Sequence, residues 1–300
     1  MVRSHIGNVV CRKALSVRVA SSPPRKSIRI CGCSFSYSNS NSAYEERSLA
    51  AESAGNVIAV QQKGRENVMG RKQAVSYLSK DILLHIDMLE ILKRKDTEIL
   101  QASDRGVLLY NESYGVYMIS AQDGQAAKEM LSSVRQPEVI VTHQNFCVDT
   151  VQKQFRFQRK TACHQAAYFN RNPLPVPESS AMIRPLDESY LPFLLKYYSL
   201  AGIVSVQERL ESGSMFGAFL SGTLAGFAGT HAEGSMGLLE VLPEYRRQGI
   251  AVVLETFLAN RFLAEGRVPF AQIIAGNTAS LKLQQKLDFT VSEQAICWLE

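Results

Sequence analysis

Residues 238–251 read LLEVLPEYRRQGIA, and this stretch is the most informative segment of the sequence for the fold. It is an apolar strand that runs into Pro243 and a basic turn with one glycine, and a long apolar helix follows from Val252. A strand, a turn and a helix in this order place a row of backbone N–H groups at a helix N-terminus, where the helix dipole favours an anion. The stretch therefore predicts an anion site of a size that suits a pyrophosphate.

Composition limits the class of protein. The chain has 300 residues, of which 46% are hydrophobic and 20% charged, as in an ordinary soluble globular protein of about two domains. No apolar run approaches the roughly 20 residues that span a bilayer, so no membrane protein is expected. Cys147, Cys163 and Cys297 lie in apolar stretches, and Cys31 and Cys33 lack the C-x-x-C spacing, which favours a reducing, cytoplasmic compartment.

The distribution of charge argues against a nucleic-acid-binding protein. The formal net charge is +5, but residues 1–68 hold ten Lys or Arg against four Glu. Residues 69–300 hold 23 basic and 24 acidic side chains and so carry a net charge of −1. A surface that tracks phosphates needs Lys and Arg in the folded part of the chain. We therefore expect no nucleic acid among the partners.

The first 68 residues allow two interpretations. Residues 1–44 contain seven Lys or Arg, ten Ser and no acidic residue, which is typical of an organelle transit peptide and would make the protein organellar. Met69 also begins a segment that looks like an ordinary protein start, in which case residues 1–68 are upstream sequence translated from a misassigned start. In either case the segment lacks hydrophobic periodicity, so we expect it to be disordered.

The rest of the chain divides at a proline-rich linker, residues 173–180. Residues 69–172 are expected to form a smaller α+β domain that opens with an amphipathic helix over 71–94. Further predicted elements are strands at 98–103, 106–111, 115–120, 138–142 and 163–169, a helix capped by Asp123 and a helix at 145–155. For residues 181–300 the predicted elements are a strand at 181–185, helices at 186–198 and 205–212, a hairpin of strands 215–220 and 223–231, a strand at 236–242, a helix at 250–264, a strand at 270–275, a helix at 279–287 and a strand at 290–299.

The basic turn carries the residues that are expected to hold a diphosphate. Gly249 permits close backbone approach or a positive φ, and Ala251 is small where a larger side chain would crowd the ligand. The expected binding residues are Arg246, Arg247, Gln248, Gly249, Ile250 and Ala251. Taken alone, the turn also fits a basic loop that caps a helix packed on a sheet.

Two motifs in residues 181–300 resemble the GNAT superfamily of N-acyltransferases. Residues 241–251, VLPEYRRQGIA, resemble the acetyl-CoA signature V-x-P-x-x-R followed by [QR]-x-x-G-x-[GA]. Residues 277–289, NTASLKLQQKLDF, resemble the N-x-x-[AS]…L-[YF]-x-K-x-G-F segment of the same superfamily. The two-domain layout is similar to that of the glycine N-acyltransferase-like branch.

The resemblance implies an α/β (α+β) fold with a mixed, mostly antiparallel sheet, flanking helices and a central strand splayed from its neighbour. It implies acetyl-CoA as the acyl donor and direct transfer of the acetyl group to a small-molecule amine. Leu239 and Val241 would then offer main-chain groups to the pantetheine arm, and residues 246–251 would cradle the pyrophosphate. Asn277 would contact the pantetheine, or it is the N-cap of the helix that follows.

An amine nucleophile must lose a proton, so a base is expected near the splayed strand. Glu240 is the first candidate because a charge inside an apolar strand needs a reason, although it also fits a solvent-facing strand position. His231 and Glu233 are the next candidates, and His231 also fits an ordinary loop-edge histidine. Gln284 stands where the superfamily often carries a Tyr that protonates the leaving thiolate.

Two further expectations follow. Gln284 leaves the general acid unassigned, so a non-catalytic acyl-CoA sensor is the alternative function. His85, His143 and His164 are dispersed without ligand spacing, so no metal site is expected.

Overall fold

The computed structural model describes residues 69–198 and 203–300, with the side chains of α6 described from residue 205. The expectations for residues 1–68 lie outside this range. The strands are β1 Thr97–Ser103, β2 Gly106–Asn111, β3 Val116–Ala121, β4 Val139–Thr142, β5 Lys160–Ala167, β6 Met182–Pro185, β7 Met215–Leu220, β8 Thr223–Thr230, β9 Met236–Val241, β10 Phe270–Ile274 and β11 Thr290–Leu299.

Helices flank these strands. They are α1 over 69–78, α2 Ile86–Ile91, α3 Gly124–Leu131, α4 Asn145–Gln154, α5 Leu191–Tyr197, α6 Ile203–Glu211, α7 Ile250–Ala264 and α8 Thr278–Lys286. Among the helices of the described residues, none combines the length and apolar character needed to cross a membrane.

The described strands form one sheet in the order β1-β2-β3-β4-β11-β5-β10-β9-β8-β7-β6. Only β3 with β4 and β9 with β10 pair in parallel, and the other neighbours are antiparallel. The predicted mixed, mostly antiparallel sheet is therefore confirmed. The sheet crosses the linker, because β5 lies between β10 and β11. The division into domains at 173–180 stays a prediction.

The sheet buries apolar side chains on both faces. One face, here called the α5/α6 face, is covered by α1, α2, α5 and α6, and its core includes Phe227 and Leu238. The opposite face, here called the α7/α8 face, is covered by α3, α4, α7 and α8, and its core includes Leu254 and Ala271. A strand buried on both sides loses the polar–apolar alternation of a half-exposed strand, which is why β7 and the interior of β8 are apolar.

The local sequence patterns predict the bounds of most helices and strands well. Gly106–Asn111, Ile250–Ala264 and Thr290–Leu299 have the predicted bounds, and Asp123 caps α3 by accepting a hydrogen bond from the amide of Ala126. The predicted continuous helix over 71–94 is wrong, because residues 79–85 interrupt it. There the Asp81 carboxylate accepts from the Leu84 amide, and the carbonyl of Leu78 binds the imidazole of His85 instead of continuing the helix.

This interruption buries a polar network on the α5/α6 face. The Asp87 carboxylate contacts Nε2 of His143 at 2.9 Å and accepts from the amide of Gln272 at 3.3 Å. The Gln272 oxygen accepts from Nε1 of Trp298 at 2.8 Å. The sequence pattern shows these histidines as dispersed, yet the rings of His85 and His143 lie 5.6 Å apart. The network fixes α2 over β10 and β11, because each buried polar atom in it requires its partner.

Candidate active site

A gap opens in the sheet between β9 and β10. The two parallel strands pair only at Met236 and Ala271, and no pairing joins the residues that follow in each strand. On the other side of β9, Leu238 and Leu239 stand opposite the single residue Ala228 of β8, and Leu238 has a φ of 50°. This β-bulge turns the strand at the point where it leaves its neighbour, and bulges of this kind are common beside active sites. The predicted splayed strand is confirmed.

The basic turn lies at the open end of this gap. Pro243–Tyr245 form a short 3-10 turn, Arg247 and Gly249 have φ values of 63° and 81°, and α7 begins at Ile250. No backbone carbonyl of the described residues accepts a hydrogen bond from the amides of residues 247–251. A Cβ at residue 249 would find no heavy atom within 4 Å, so this side of the turn is open. The turn therefore presents free amides and the positive end of the α7 dipole to one open space.

Arg246 folds back on the end of β9. Its Nη2 lies 3.0 Å from Oε1 of Glu240, and its Nε donates to the carbonyl of Val241 at 3.1 Å. The first candidate base is therefore paired with a residue of the expected phosphate site. The Arg246 side chain is 58% exposed, so solvent screens this pair and it contributes little to stability.

Asn277 lies at the other wall of the gap, after β10. Its side-chain oxygen accepts from the amide of Ser280 at 3.1 Å, so it is the N-cap of α8 as predicted. Its contact with a cofactor stays a prediction.

His231 lies on the α5/α6 face beside the bulge. Met236 packs into the core on the α7/α8 face, so the next residue, Gly237, faces the α5/α6 side. The imidazole of His231 packs on this glycine: a Cβ there would stand 2.6 Å from Cδ2 of the ring. In the described part of the chain, no group hydrogen-bonds to the ring or pairs with it. The imidazole is half-buried and lies beside the gap.

Tyr198 is a polar group on this face that the sequence did not single out. It is 8% exposed, and burial raises the pKa of its phenol to about 12, with the charges of Glu233 and Glu240 adding to the rise. Glu233 accepts a hydrogen bond from the hydroxyl of Ser235. Residues 198, 231, 233 and 240 come from three different elements. A sequence pattern could have indicated this cluster only if all four had been considered together.

A buried carboxyl–amide pair joins α7 to α8 on the opposite face. Glu255 is 2% exposed and Gln284 is 1% exposed. Burial raises the pKa of Glu255 to about 7, and a hydrogen bond from Gln284 opposes the rise. Oε2 of Glu255 and Oε1 of Gln284 have no hydrogen-bond partner. The position where the superfamily often has Tyr therefore holds an amide that is bound to a carboxyl group.

The residues at the gap fit an acyl-CoA. Free amides with an open glycine suit a diphosphate, and the unpaired edge of β9 suits the amide-containing pantetheine arm. Among the described residues, no group of three His, Cys, Asp or Glu is placed to hold a metal ion.

Comparison with known proteins finds a family model that matches the part of the chain with the gap and the basic turn, and a solved structure with a similar fold. The family model described as FR47-like protein matches residues 216–299. A Drosophila protein of known structure aligns with a TM-score of 0.56 at 15% identity, over 77% of this chain and 88% of that chain. A GCN5-related N-acetyltransferase from Kribbella flavida aligns with a TM-score of 0.49 at 11% identity, over 73% of this chain and 95% of that chain. No curated protein sequence matches the chain.

The match to the family model spans β7 to β11 and so includes the gap, the basic turn, α7 and α8. These are the elements on which the sequence resemblance rests. Residues 216–299 therefore match the FR47-like family, and the fold of the chain is similar to that of the Drosophila protein.

Proposed function

We propose that this protein is an N-acetyltransferase that moves the acetyl group of acetyl-CoA directly to a small-molecule amine. The observation that carries the proposal is the gap between β9 and β10, which ends at the free amides of residues 247–251. The thioester of acetyl-CoA supplies an activated acyl group. The three free, buried cysteines of the described residues fit a cytoplasmic location, which we also propose.

In this proposal the two sides of the gap have different roles. Residues 246–251 bind the diphosphate, the main chain of Leu239 and Val241 binds the pantetheine arm, and Asn277 steadies the turn between β10 and α8. The acceptor amine approaches from the α5/α6 face, where His231, Glu233 and Glu240 lie. A proton acceptor on this face assists attack, because only the neutral amine is nucleophilic.

His231 is the base that the geometry favours. Its ring has no partner among the described residues, whereas the carboxylate of Glu240 holds Arg246. We expect His231→Asn to lower kcat about 100-fold, within the range for loss of a general base. The dissociation constant for acetyl-CoA should stay within twofold, because the ring lies on the other side of β9 from α7.

Steady-state kinetics and calorimetry on His231→Asn and Glu240→Gln check this assignment. Glu240→Gln keeps the shape of the side chain and should lower kcat less than tenfold. The reverse order of effects would assign the base to Glu240 instead.

Thiol release from acetyl-CoA with a panel of amines tests the transferase itself. Amine-dependent release with matching formation of the N-acetyl product supports the proposal. Tight binding of CoA without turnover on any amine would favour an acyl-CoA sensor, the function for which Gln284 is the specific observation, because an amide cannot supply a proton to a thiolate.

A further inference from the structure

Two arginines lie near one aromatic ring on the α5/α6 face. The guanidinium carbon of Arg94 lies 5.6 Å from the ring centre of Tyr114, and that of Arg209 lies 5.8 Å from the same centre. Arg94 follows α2, Tyr114 lies in the turn between β2 and β3, and Arg209 is in α6. The fold thus brings three distant segments together and leaves two positive charges about one ring.

Neither charge is neutralised by a carboxylate within ion-pair distance among the described residues. Arg94 donates from Nη1 to the carbonyl of Ala232 at 2.7 Å. Nε of Arg209 is buried and has no hydrogen-bond partner. The neighbouring Arg267, by contrast, lies 3.8 Å from Glu90 and 3.5 Å from Glu265. A buried N–H without an acceptor is costly, so the two unneutralised arginines are suited to an anion that is not part of the described chain.

Arg94 lies beside the loop that carries the proposed base. A Cβ at Gly234 would stand 2.5 Å from Nη2 of Arg94, so this guanidinium packs on the loop. The amide of Gly234 donates to the carbonyl of His231 at 3.0 Å, which closes a four-residue turn. The Cα atoms of the two residues are then within about 7 Å of each other. The charge of Arg94 and the imidazole of His231 therefore belong to one short loop region on the face where we place the acceptor, and Tyr114 connects Arg209 to Arg94.

We propose that Arg94 and Arg209 form an anion-binding subsite for the acceptor, so that the preferred substrate is an amine that also carries a carboxylate or phosphate group. This inference rests on the proposed function. The planar guanidinium matches either group through paired hydrogen bonds, and both guanidinium groups lie within 6 Å of the Tyr114 ring centre. The subsite orients the amine by binding the end of the acceptor that does not react.

Pairs of acceptors that differ in one anionic group test the subsite with the full chain. Glycine against glycinamide examines a carboxylate, and phosphoethanolamine against ethanolamine examines a phosphate. The charged member of at least one pair should have a kcat/KM at least tenfold higher. Glycinamide is the less basic amine and so is more often neutral, which biases the first comparison against the proposal. Equal use of both members of both pairs would overturn it.

A variant of Arg209 tests whether the preference for the charged acceptor depends on the proposed subsite. Arg209→Gln should raise KM for the charged acceptor about tenfold and leave kcat, KM for the neutral acceptor and the affinity for acetyl-CoA within twofold. Arg184→Gln is the matched control. Arg184 also stacks on an aromatic ring, with its guanidinium carbon 3.9 Å from the centre of the Phe219 ring, but it lies in β6 and outside the proposed subsite. Equal loss with both acceptors, together with a lower Tm, would make the cluster a structural brace and contradict the proposal.

Direct measurement of acceptor binding tests the subsite independently of the proposed transferase activity. Calorimetry with glycine and with phosphoethanolamine needs no turnover. If no amine is acetylated but one of these two compounds binds the wild type at least tenfold more tightly than Arg209→Gln, the subsite stands and the transferase proposal fails. If neither compound binds better to the wild type than to Arg209→Gln, the subsite is refuted.

Discussion

Gly249→Asp should weaken the binding of acetyl-CoA about 1,000-fold. Residue 249 has a φ of 81° and opens onto the space that the free amides of residues 247–251 face. An aspartate there sets a negative charge against the diphosphate that we place in this space. Two like charges about 4 Å apart repel by about 4 kcal/mol at an effective dielectric constant of about 20, which corresponds to about 1,000-fold in affinity.

Calorimetric titration with acetyl-CoA measures this effect, and Gly222→Asp is its matched control. Gly222 has a φ of 85° and likewise would have no heavy atom near an added Cβ, but it lies in the turn between β7 and β8. The strain of a left-handed aspartate, about 1 kcal/mol, is therefore common to both variants. Gly222→Asp should bind acetyl-CoA as the wild type does. Equal affinities of the two variants would remove the basic turn from the cofactor site.

Glu255→Gln should raise the free energy of unfolding by about 3 kcal/mol at pH 8–9 and leave it nearly unchanged at pH 5. Burial raises the pKa of Glu255 from 4.5 to about 7 in the folded protein. The folded state therefore binds this proton more tightly than the unfolded chain. The resulting stability is fully present below pH 4.5 and is lost as the pH rises through 7. Glutamine stays neutral at every pH, and its amide can donate to the unpartnered oxygen of Gln284.

Urea unfolding of the wild type and the variant between pH 5 and pH 9 gives the two curves to compare. Glu265→Gln is the control, because Glu265 ends α7 with its side chain 41% exposed and pairs with Arg261. Its substitution should change stability by less than about 1 kcal/mol at any pH. Parallel wild-type and Glu255→Gln curves would show that Glu255 does not keep its proton at neutral pH.

The sequence was most informative where a single segment determines its own structure. The strand, turn and helix at 236–264, the hairpin at Ser221–Gly222 and the N-caps at Asp123 and Asn277 depend on neighbouring residues, and they form as predicted. The helix over 71–94 failed because its apolar spacing continues through residues 79–85. The side chains of Asp81 and His85 bind the backbone there, and periodicity does not register this competition.

The candidate site was only partly predictable, because its groups meet through the sheet. The position of β5 between β10 and β11 is set by long-range pairing that no local pattern encodes. The packing of His231 on Gly237 depends on the bulge at Leu238, and the meeting of Arg94, Tyr114 and Arg209 depends on that sheet order. Chemistry-bearing residues on separate strands become a cluster only once the strand order is known.

The central claim is that acetyl-CoA bound along β9 gives its acetyl group to an amine. Mass spectrometry of an amine panel incubated with carbon-13-labelled acetyl-CoA and the full chain tests it most directly. We expect a labelled N-acetyl product in amounts equal to the released thiol. His231→Asn should form about 100-fold less of it per unit time, and Gly249→Asp should form none above background at acetyl-CoA concentrations that saturate the wild type. Binding of acetyl-CoA without a labelled product from any amine would contradict it.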